Sequence, residues 1–541
     1  MPATATTSAI KPLPHSNGSA RLTPRFAGAP MLEALRDVAT YAAYEHHDEI
    51  SVESPFSGEV VGSVPAGTPR DMEEAFARAR SAQRSWAERP IEERAAVLIR
   101  LHDAILEQQD EILDLIQMES GKARIHAFEE ILDVAMVARY YGYHGARILR
   151  RERRPGAIPI LTRTEVNHVP VGVVGIICPW NYPLSMAITD ALPALLAGNA
   201  VVLKPAEQTP FTALWIARLA RQCGLPNEVL HVVPGRGRDI GSTLIKESDY
   251  VHFTGSTEVG RLVATQAAER LIGCSLELGG KNPMIVLDDA DLDRAADGAI
   301  RGCFASAGQL CISAERLYVH EDVREPFLQR LSSRIAGMRI RASYRYDSDM
   351  GALVSQEQFD KVTDHVQDAL SKGARALTGG RPMPEAGALF YAPTVLTGVT
   401  PEMKVYREET FGPVVSVYSL ERDSEAVYRA NDSRFGLNAS VWTGNAARGL
   451  AIARRLQAGT VNINEAYIAT WGSMAAPMGG FKSSGNGRRH GPEGIRKYTE
   501  AQTVSLQRLV PIAVPRGVEQ SAFTHMAGRA LQLLRRVPGL R

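Results

Sequence analysis

The sequence predicts an α/β protein in which two regions of alternating strands and helices follow a helical part. From Val171 onward, short apolar runs alternate with helical segments in the order VGVVGIICP, AVVLKP, VLHVVPG and YVHFTGS. One intervening segment, TPFTALWIARLARQCGLP, has helical spacing and stops at Gly224 and Pro226. Strands that alternate with helices at this spacing are typical of βαβ units, so we expect a parallel sheet.

The second alternating region begins near NPMIVL and runs to about Gly480, with VVSVYSL and VNINE as predicted strands. Before both regions, residues 71–150 carry apolar residues at helical spacing and predict amphipathic helices. Residues 162–171 and 497–506 alternate like strands outside both regions. Strands outside a domain's own sheet often pair with a partner chain, so we expect the protein to oligomerise.

The composition is that of an ordinary globular protein. The 541 residues are 45% hydrophobic and 22% charged, which is enough chain for two or three domains. With a net charge of +1, no overall field attracts nucleic acid. The cysteines are odd in number and lack CxxC spacing, which argues against a disulfide scaffold or a metal site and favours the reduced cytoplasm.

The two ends of the chain differ in composition from the middle. Residues 1–32 contain no Asp or Glu and are rich in Ala, Ser, Thr and Pro, which predicts a disordered tail. Residues 511–541 form a basic tail that fits a helix packed on the protein, a frayed end or a helix on a membrane surface. The uncharged stretch 169–189 is interrupted by prolines and predicts a strand, a turn and a helix start, with no integral membrane segment.

Cys311 lies among small residues in the stretch SAGQLCISAER. A lone cysteine is most often a small buried hydrophobic residue. A nucleophilic cysteine must instead form a thiolate, starting from a free pKa of about 8.5, and small neighbours would let a substrate carbon approach it. The stretch by itself leaves both interpretations open.

Two other motifs carry candidate partners for a nucleophile. Glu277 lies at the end of an apolar strand in CSLELGGKNP. Burial there would raise its pKa towards the range of a general base, although a glutamate on the solvent face of an edge strand is the alternative. Asn181 in PWNYP could donate a hydrogen bond to an oxyanion, or it could be a turn residue between two prolines.

Two strand ends carry candidate nucleotide contacts. In FTGSTEVGR, a turn after a strand opens a helix, whose N-terminus could hold a phosphate or could simply be capped. The residues of this turn are Gly255, Ser256, Thr257 and Gly260. In LKPAEQTP, Lys204 ends a strand and Glu207 follows it, where both could meet a nucleotide ribose or lie in a solvated loop.

Together, seven motifs in chain order resemble those of the aldehyde dehydrogenase superfamily. They are PWNYP, LKPAEQTP, FTGSTEVG, LELGGKNP, GQLC, EETFGPV and PMGGFKSSGNGRRHG. The resemblance covers residues 50–506 and implies the aldehyde dehydrogenase fold. Its parts would be a Rossmann-like cofactor domain (33–155 and 172–277), an α/β catalytic domain (278–480) and a small oligomerisation sheet (156–171 and 481–510). The resemblance implies that this sheet builds a homodimer or homotetramer.

The resemblance also implies roles for individual residues. Cys311 would be the nucleophile that forms a thiohemiacetal and then a thioester with an aldehyde. Asn181 and the backbone N–H of Cys311 would form the oxyanion hole, and Glu277 would activate the water that hydrolyses the thioester. Lys204 and Glu207 match positions that contact the adenosine ribose. The other matches to cofactor-binding positions are Trp180, Ser256, Thr257, Leu278, Glu409 and Phe411.

Glu207 bears on the choice of cofactor. A carboxylate at this position would accept hydrogen bonds from the ribose hydroxyls of NAD and would repel the 2′-phosphate of NADP. We therefore expect NAD, with NADP as the alternative.

The C-terminal motifs are most similar to those of bacterial succinate-semialdehyde dehydrogenases, which implies oxidation of succinate semialdehyde to succinate. Ala305 and Thr189 stand where such enzymes often carry arginine. The substrate carboxylate would then need another anchor, Arg488 or Arg489. The alternatives are a broad-specificity dehydrogenase of aliphatic or aromatic aldehydes and an aldehyde dehydrogenase that transfers the acyl group to coenzyme A.

Overall fold

The computed structural model describes residues 23–43, 46–157, 161–508 and 513–536. The helices are α1 (Ala29–Arg36), α2 (Pro69–Glu88), α3 (Ile91–Glu107), α4 (Gln109–Ser120), α5 (Arg124–Ile148), α6 (Pro183–Ile188), α7 (Ala191–Leu196), α8 (Pro210–Gln222), α9 (Gly237–Glu247), α10 (Thr257–Glu269), α11 (Leu292–Phe304), α12 (Glu321–Ala336), α13 (Gln356–Ser371), α14 (Lys404–Arg407), α15 (Asp423–Asn431), α16 (Ala446–Ala453), α17 (Ile468–Trp471), α18 (Gly491–Arg496) and α19 (Gln520–Leu534). The strands are β1 (Glu49–Glu53), β2 (Val60–Pro65), β3 (Glu152–Arg154), β4 (Thr162–Pro170), β5 (Val173–Ile177), β6 (Ala200–Lys204), β7 (Leu230–Val232), β8 (Tyr250–Thr254), β9 (Gly273–Glu277), β10 (Asn282–Val286), β11 (Ala314–His320), β12 (Arg375–Thr378), β13 (Thr394–Thr397), β14 (Val414–Leu420), β15 (Phe435–Gly436), β16 (Asn438–Trp442), β17 (Thr460–Ile463), β18 (Phe481–Lys482), β19 (Gly485–Asn486) and β20 (Thr499–Gln507).

The predicted amphipathic helices before the first sheet are confirmed as α2 to α5. Helix α2 begins at a capping box, because the Thr68 side chain accepts from the Asp71 N–H while the Asp71 carboxylate accepts from the Thr68 N–H. Pro69 occupies the first turn, where its missing N–H costs no hydrogen bond. Met72, Phe76 and other apolar residues of α2 are buried.

The first large sheet has the strand order β19-β9-β8-β5-β6-β7. Strands β5 to β9 run parallel, and β19 pairs antiparallel with β9. Every residue of β6 is buried, as expected for a parallel strand with both faces covered. Helices α2 and α9 pack together against β5 and β6, while α7 and α8 contact β6 and β7. Because β5 lies between β6 and β8, the strand order reverses there and leaves a crevice at the carboxyl ends.

The second large sheet has the order β12-β13-β14-β11-β10-β16-β17 and is parallel except for the β12–β13 pair. Strands β10, β11 and β16 are buried along their whole length. Helices α11 and α12 pack on each other and on β11. The two alternating regions of the sequence therefore form two sheets, as predicted.

A third, three-stranded sheet contains the two strands predicted outside both regions. β20 and β4 pair antiparallel from Thr499 opposite Pro170 to Gln507 opposite Thr162, and β3 pairs with the other side of β4. The boundaries differ from the predicted 156–171 and 481–510. The sheet begins earlier, at β3, and residues 481–498 pack elsewhere, because β19 pairs with β9 and Tyr498 is buried in the core of the first sheet.

The predicted tails also need correction. Residues 1–22 lie outside the described part, but residues 29–32 begin α1, and Leu32 and Leu35 are buried. The backbone N–H groups of Arg25 and Phe26 donate to the Asp114 carboxylate, so ordered structure starts before residue 32. Helix α19 has no buried residue, which excludes the predicted alternative of a helix packed on the described chain. Among the described residues, no helix combines the length and the hydropathy needed to cross a membrane.

Candidate functional site

A cavity lies at the carboxyl ends of the first sheet and faces the second sheet. Residues from both alternating regions form its wall. Nine of the site residues predicted from the sequence line this cavity: Trp180, Asn181, Gly255, Ser256, Glu277, Leu278, Cys311, Glu409 and Phe411. Strands β5, β8 and β9 are neighbours in the sheet, so the residues that follow them meet at one edge.

Cys311 follows a turn of unusual backbone geometry. Ser306, Ala307 and Gly308 have φ values of 50°, 55° and 71°, in the left-handed region that favours glycine. A Cβ atom on Gly308 would lie 2.1 Å from the carbonyl oxygen of Gly412, so the turn also requires glycine for close approach. The thiol is half-buried, and burial together with the carboxyls of Glu277 and Glu409 raises its pKa to about 12. At neutral pH it is therefore a thiol that needs a base.

Glu277 lies at the end of β9 with its side chain in the wall of the same cavity. Its Oε1 atom is buried and has no hydrogen-bond partner among the described residues. Burial raises the pKa of this carboxyl to about 8, although Arg489 and Lys497 oppose the shift. A carboxyl group with such a pKa can accept a proton near neutral pH, which is what a general base requires.

Asn181 is held from both its side chain and its backbone. The Nδ2 atom donates to the Gln309 carbonyl oxygen at 3.0 Å, just ahead of Cys311 in the chain, which leaves the second Nδ2–H for another acceptor. The Asn181 carbonyl oxygen accepts from Lys122 Nζ at 2.6 Å. The amide therefore has a fixed orientation beside the cysteine.

The Lys122 contact belongs to a buried ion pair that the sequence analysis missed. Lys122 Nζ and Glu130 Oε1 are 2.6 Å apart, and both side chains are almost fully buried. The other carboxylate oxygen of Glu130 accepts from the backbone N–H groups of Leu184 and Ser185 in the first turn of α6. The pair thus joins the start of α5 to the loop and helix that follow β5.

A second buried carboxylate holds the loop that carries Glu409 and Phe411. Glu315 lies 2.5 Å from Lys281 Nζ and accepts from the backbone N–H groups of Thr410 and Phe411. Phe411 itself has a φ of 55°, so these hydrogen bonds stabilise a strained backbone. Glu315 is another residue that the sequence analysis missed.

Glu409 is directed at the turn that follows Glu277. Its Oε1 atom accepts from the Gly280 N–H at 2.6 Å, and burial raises the pKa of its carboxyl to about 7. A Cβ atom on Gly279 would lie 2.3 Å from Glu409 Oε2, so this approach requires glycine. The contact joins the two sheets across the cavity.

The remaining predicted cofactor contacts divide between the cavity and its surroundings. The rings of Trp180 and Phe411 meet edge to face at 5.6 Å between centroids. Ser256 caps α10 by accepting from the Val259 N–H. Thr257 and Gly260 lie behind the cavity wall, where the Thr257 hydroxyl donates to the Ser483 carbonyl oxygen and Gly260 packs on Leu278.

Lys204 and Glu207 also lie outside the cavity wall, Lys204 as the last residue of β6 and Glu207 in the loop that follows it. Lys204 is buried and its Nζ donates to the carbonyl oxygens of Pro205 and Gly235, while burial lowers its pKa. Glu207 Oε1 accepts from the Gly237 N–H at the start of α9. Arg236 and Arg238 flank Gly237, and the sequence analysis had not singled them out.

Of the two candidate arginines for a substrate carboxylate, Arg489 lines the cavity. It is 7% exposed, its Nε lies 2.8 Å from Asp190 Oδ2, and its Nη2 donates to the Thr189 hydroxyl at 2.5 Å. Arg488 does not line the cavity, and its Nη1 donates to the carbonyl oxygens of Gly480 and Gly487. The structure therefore identifies Arg489 as the candidate that faces the cavity, a distinction that the sequence could not make between two adjacent arginines.

A Rossmann-like sheet whose strand ends border a cavity with a buried thiol and carboxyl defines a class of dinucleotide-dependent oxidoreductases. The model of the aldehyde dehydrogenase family matches residues 41–504. The chain belongs to the aldehyde dehydrogenase family and is an oxidoreductase that acts on aldehydes. The family resemblance and the α/β fold predicted from the sequence are thereby confirmed.

Two relatives and two solved structures illustrate this similarity. A Mycolicibacterium smegmatis protein named "Putative succinate-semialdehyde dehydrogenase (NADP+)" is 48% identical over 93% of this chain and 98% of the relative. A glutarate-semialdehyde dehydrogenase from Pseudomonas aeruginosa is 37% identical over 84% of this chain and 94% of the relative. The betaine aldehyde dehydrogenase structure from Staphylococcus aureus in complex with NAD+ has a TM-score of 0.84 at 31% identity, covering 91% of this chain and 98% of that one. An E. coli NADP-dependent enzyme has a TM-score of 0.83 at 35% identity, covering 88% and 99%.

The raised pKa of Glu277 generates a prediction about pH. A base works in its ionised form, and burial raises the pKa of this carboxyl to about 8, so kcat/KM should rise as the pH increases through about 8. Steady-state rates between pH 6 and 9.5 measure this. Glu277→Gln should remove the rise and lower kcat by roughly 10²- to 10⁴-fold. A wild-type profile that is flat from pH 6 to 9.5 contradicts the assignment.

The buried Lys122–Glu130 pair generates a prediction about stability. Lys122→Met leaves the Glu130 carboxylate buried and unpaired, so the free energy of unfolding should fall by about 3–5 kcal/mol. The matched control is Arg218→Met, which breaks a partly exposed pair with Glu111 and should cost less than about 1 kcal/mol. Urea unfolding of the two variants at equal protein concentration compares them. Equal losses would contradict a structural role for the buried pair.

Proposed function

We propose that this chain catalyses the NAD(P)-dependent oxidation of a short aldehyde that carries a distal carboxylate, with succinate semialdehyde oxidised to succinate. The observation that carries the proposal is Arg489, a buried guanidinium in the wall of the cavity that also holds Cys311 and Glu277. A guanidinium is the side chain best suited to bind a carboxylate. The names of the relatives from M. smegmatis and P. aeruginosa support this substrate class.

The position of Arg489 also accounts for the two missing arginines. Thr189, where an arginine was expected, accepts a hydrogen bond from Arg489. A guanidinium therefore reaches the neighbourhood of position 189 from a different segment of the chain. Ala305 is buried beside the turn that leads to Cys311, and no charge is needed there if Arg489 binds the carboxylate.

In the proposed mechanism, Glu277 takes the proton of the Cys311 thiol, directly or through a water molecule, and the sulfur attacks the aldehyde carbon. The second Nδ2–H of Asn181 and the backbone N–H of Cys311 donate to the oxygen as it becomes negative. Bound NAD(P) supplies the acceptor for the hydride that leaves the carbon. The rings of Trp180 and Phe411 and the carboxylate of Glu409 would hold the nicotinamide end.

The second half of the proposed reaction is hydrolysis of the thioester on Cys311. Glu277 first releases to solvent the proton that it took from Cys311. It then accepts a proton from water as the water oxygen bonds to the acyl carbon, and it returns this proton to the Cys311 sulfur as the carbon–sulfur bond breaks. The buried, unpartnered Glu277 oxygen favours water over coenzyme A as the acyl acceptor, because water is a much weaker acid than a thiol and depends more strongly on a base. Turnover in the absence of coenzyme A follows from this assignment.

The proposal predicts substrate preference through Arg489. Wild-type kcat/KM should be higher for succinate semialdehyde than for butanal, an uncharged aldehyde of equal length. Arg489→Gln should lower that ratio roughly 10- to 100-fold, because hydrogen bonds to a charged group contribute about 1.5–3 kcal/mol. Steady-state kinetics with both aldehydes measure the ratio.

The neighbouring substitution Arg488→Gln serves as the control and should leave the ratio unchanged, since Arg488 lies outside the cavity wall. A wild-type enzyme that oxidises butanal as efficiently as succinate semialdehyde would overturn the proposed substrate class.

For the cofactor, we propose that Glu207 favours NAD while Arg236 and Arg238 allow NADP. The Glu207 carboxylate is fixed by the Gly237 N–H, at the strand end where an adenosine ribose binds in such folds. The flanking arginines could neutralise a 2′-phosphate. The NAD+ complex of the S. aureus enzyme and the NADP+ in the name of the M. smegmatis relative illustrate both choices.

These charges predict opposite effects of two substitutions. Glu207→Gln should raise the ratio of kcat/KM for NADP to that for NAD by roughly tenfold, because it removes the repulsion of the 2′-phosphate. The double substitution Arg236→Gln and Arg238→Gln should lower the same ratio by a similar factor. Initial rates with both cofactors measure it. If Glu207→Gln leaves the ratio unchanged, Glu207 does not select the cofactor.

We further propose a cytoplasmic homo-oligomer. The cysteines of the described chain are all free, as suits a reducing compartment. Strand β20 is exposed along most of its length, including Val504 and Leu506, and lies at the edge of the three-stranded sheet. An exposed edge strand with apolar side chains suits pairing with a second copy of the chain.

A further inference from the structure

We propose that Asp133, in its protonated form, and Ser185 complete the binding site of the substrate's distal carboxylate beside Arg489, so that substrate binding takes up a proton. The Asp133 carboxyl would donate a hydrogen bond to one oxygen of the substrate carboxylate, and the Ser185 hydroxyl would donate another. This inference rests on the proposed function and deepens it, because it names two residues that determine specificity.

The first observation is a pair of unsatisfied polar side chains. Asp133, on α5, is 1% exposed, and neither of its carboxyl oxygens has a hydrogen-bond partner among the described residues. The hydroxyl of Ser185, on α6, is fully buried and is likewise without a partner there. Both residues line the cavity that contains Cys311. Buried polar groups are nearly always hydrogen-bonded, so two such groups in a cavity wall indicate a polar ligand between them.

A comparison with the next acidic residue of the same helix face sharpens this point. Glu129, one turn earlier on α5, also lines the cavity. Its carboxylate oxygens accept from the hydroxyls of Tyr182 and Tyr467 at 3.0 and 3.1 Å. Glu129 is therefore satisfied by the protein itself, whereas Asp133 is not. Of these two carboxyl groups, the one without a hydrogen-bond partner is that of Asp133, on the side of the cavity where Arg489 lies.

The surroundings of Asp133 favour a neutral carboxyl. Burial raises its pKa to about 6, Arg489 and the neighbouring Ser185 hydroxyl oppose the shift, and the carboxylates of Glu130 and Asp190 add to it. Lys122 pairs with Glu130, and Arg489 and Lys497 pair with Asp190. A substrate carboxylate would bring a further negative charge and raise the pKa of Asp133 again. Asp133 would then carry a proton in the complex at neutral pH and donate it in a hydrogen bond.

This arrangement resolves a conflict in the cavity. An ionised Asp133 would repel an anionic substrate and compete with it for Arg489. A protonated Asp133 removes the repulsion and adds a donor. The ionised form of Asp133 would instead bind an aldehyde with a positively charged amino group. The test below distinguishes this alternative substrate from an anionic one.

The inference predicts how substrate preference depends on pH. The quantity to measure is the ratio of kcat/KM for succinate semialdehyde to kcat/KM for butanal, in which the titrations of Glu277 and Cys311 cancel. The protonated fraction of Asp133 falls as the pH rises above about 6. The ratio should therefore fall at least about tenfold between pH 6.5 and pH 8.5.

Asp133→Asn is the variant that separates a donor from a structural role. An asparagine amide offers a permanent N–H donor without a titrating charge. The ratio should become independent of pH and stay within about threefold of the wild-type value at pH 6.5. Ser185→Ala retains Asp133, so at pH 6.5 it should lower the ratio about tenfold. The ratio should still fall as the pH rises, with the fall displaced to higher pH because the Ser185 hydroxyl lowers the pKa of Asp133. This second variant also serves if Asp133→Asn does not fold.

Three outcomes would overturn the inference. The first is a wild-type ratio that is independent of pH although succinate semialdehyde remains the preferred substrate. The second is an Asp133→Asn variant that keeps the wild-type pH dependence. The third is a preference for 4-aminobutanal that Asp133→Asn abolishes, which would assign Asp133 to a cationic substrate. If butanal is preferred over succinate semialdehyde at every pH, the proposed substrate class itself fails, which is a distinguishable result.

Discussion

The buried ion pair between Lys122 and Glu130 is the constraint on which the rest of the site depends. Lys122 holds the carbonyl oxygen of Asn181, and Glu130 binds the first N–H groups of α6. The position of the Asn181 amide and the direction of α6 are thus set by one pair of charges. Helix α6 contains Ser185 and ends just before Thr189. The Lys122–Glu130 pair therefore positions both the Asn181 amide, which is the candidate oxyanion donor, and one wall of the substrate cavity.

Most of the other buried charged side chains are also paired, and Glu277 is an exception that matters for the proposed chemistry. Arg489 and Lys497 share Asp190, and Lys281 pairs with Glu315. These ion pairs fix the loops around them. Glu277 has no hydrogen-bond partner for its buried Oε1 among the described residues, and burial raises the pKa of its carboxyl to about 8. Compensation produces a rigid frame, and its local absence produces a group that can exchange a proton near neutral pH.

Much of the fold was predictable because the responsible signals are local. The apolar runs of β5, β6 and β8 and the carboxylate at the end of β9 all lie within a few residues of what they determine. Lys122, Asp133 and Glu315 could not be recognised in this way. They lie inside or beside ordinary helices and strands, and they gain their roles from contacts far along the chain, such as that of Glu315 with Thr410. The early start of α1 was missed for the same reason, since Arg25 and Phe26 are held by Asp114.

The arrangement around Thr189 shows how a guanidinium can reach a site from a segment other than the one where a sequence motif places it. The motif comparison expects an arginine just after α6 or shortly before the nucleophile, and the sequence has Thr189 and Ala305 there. In the folded chain, the turn between β19 and α18 brings Arg489 against Thr189. Asp190, the residue after Thr189, fixes the guanidinium of Arg489. The guanidinium of Arg489 is thus held by the carboxylate of Asp190, which belongs to the segment where the expected arginine is absent. If Arg489 binds the substrate carboxylate as proposed, specificity for an anionic substrate depends on two segments together, and neither segment predicts it alone.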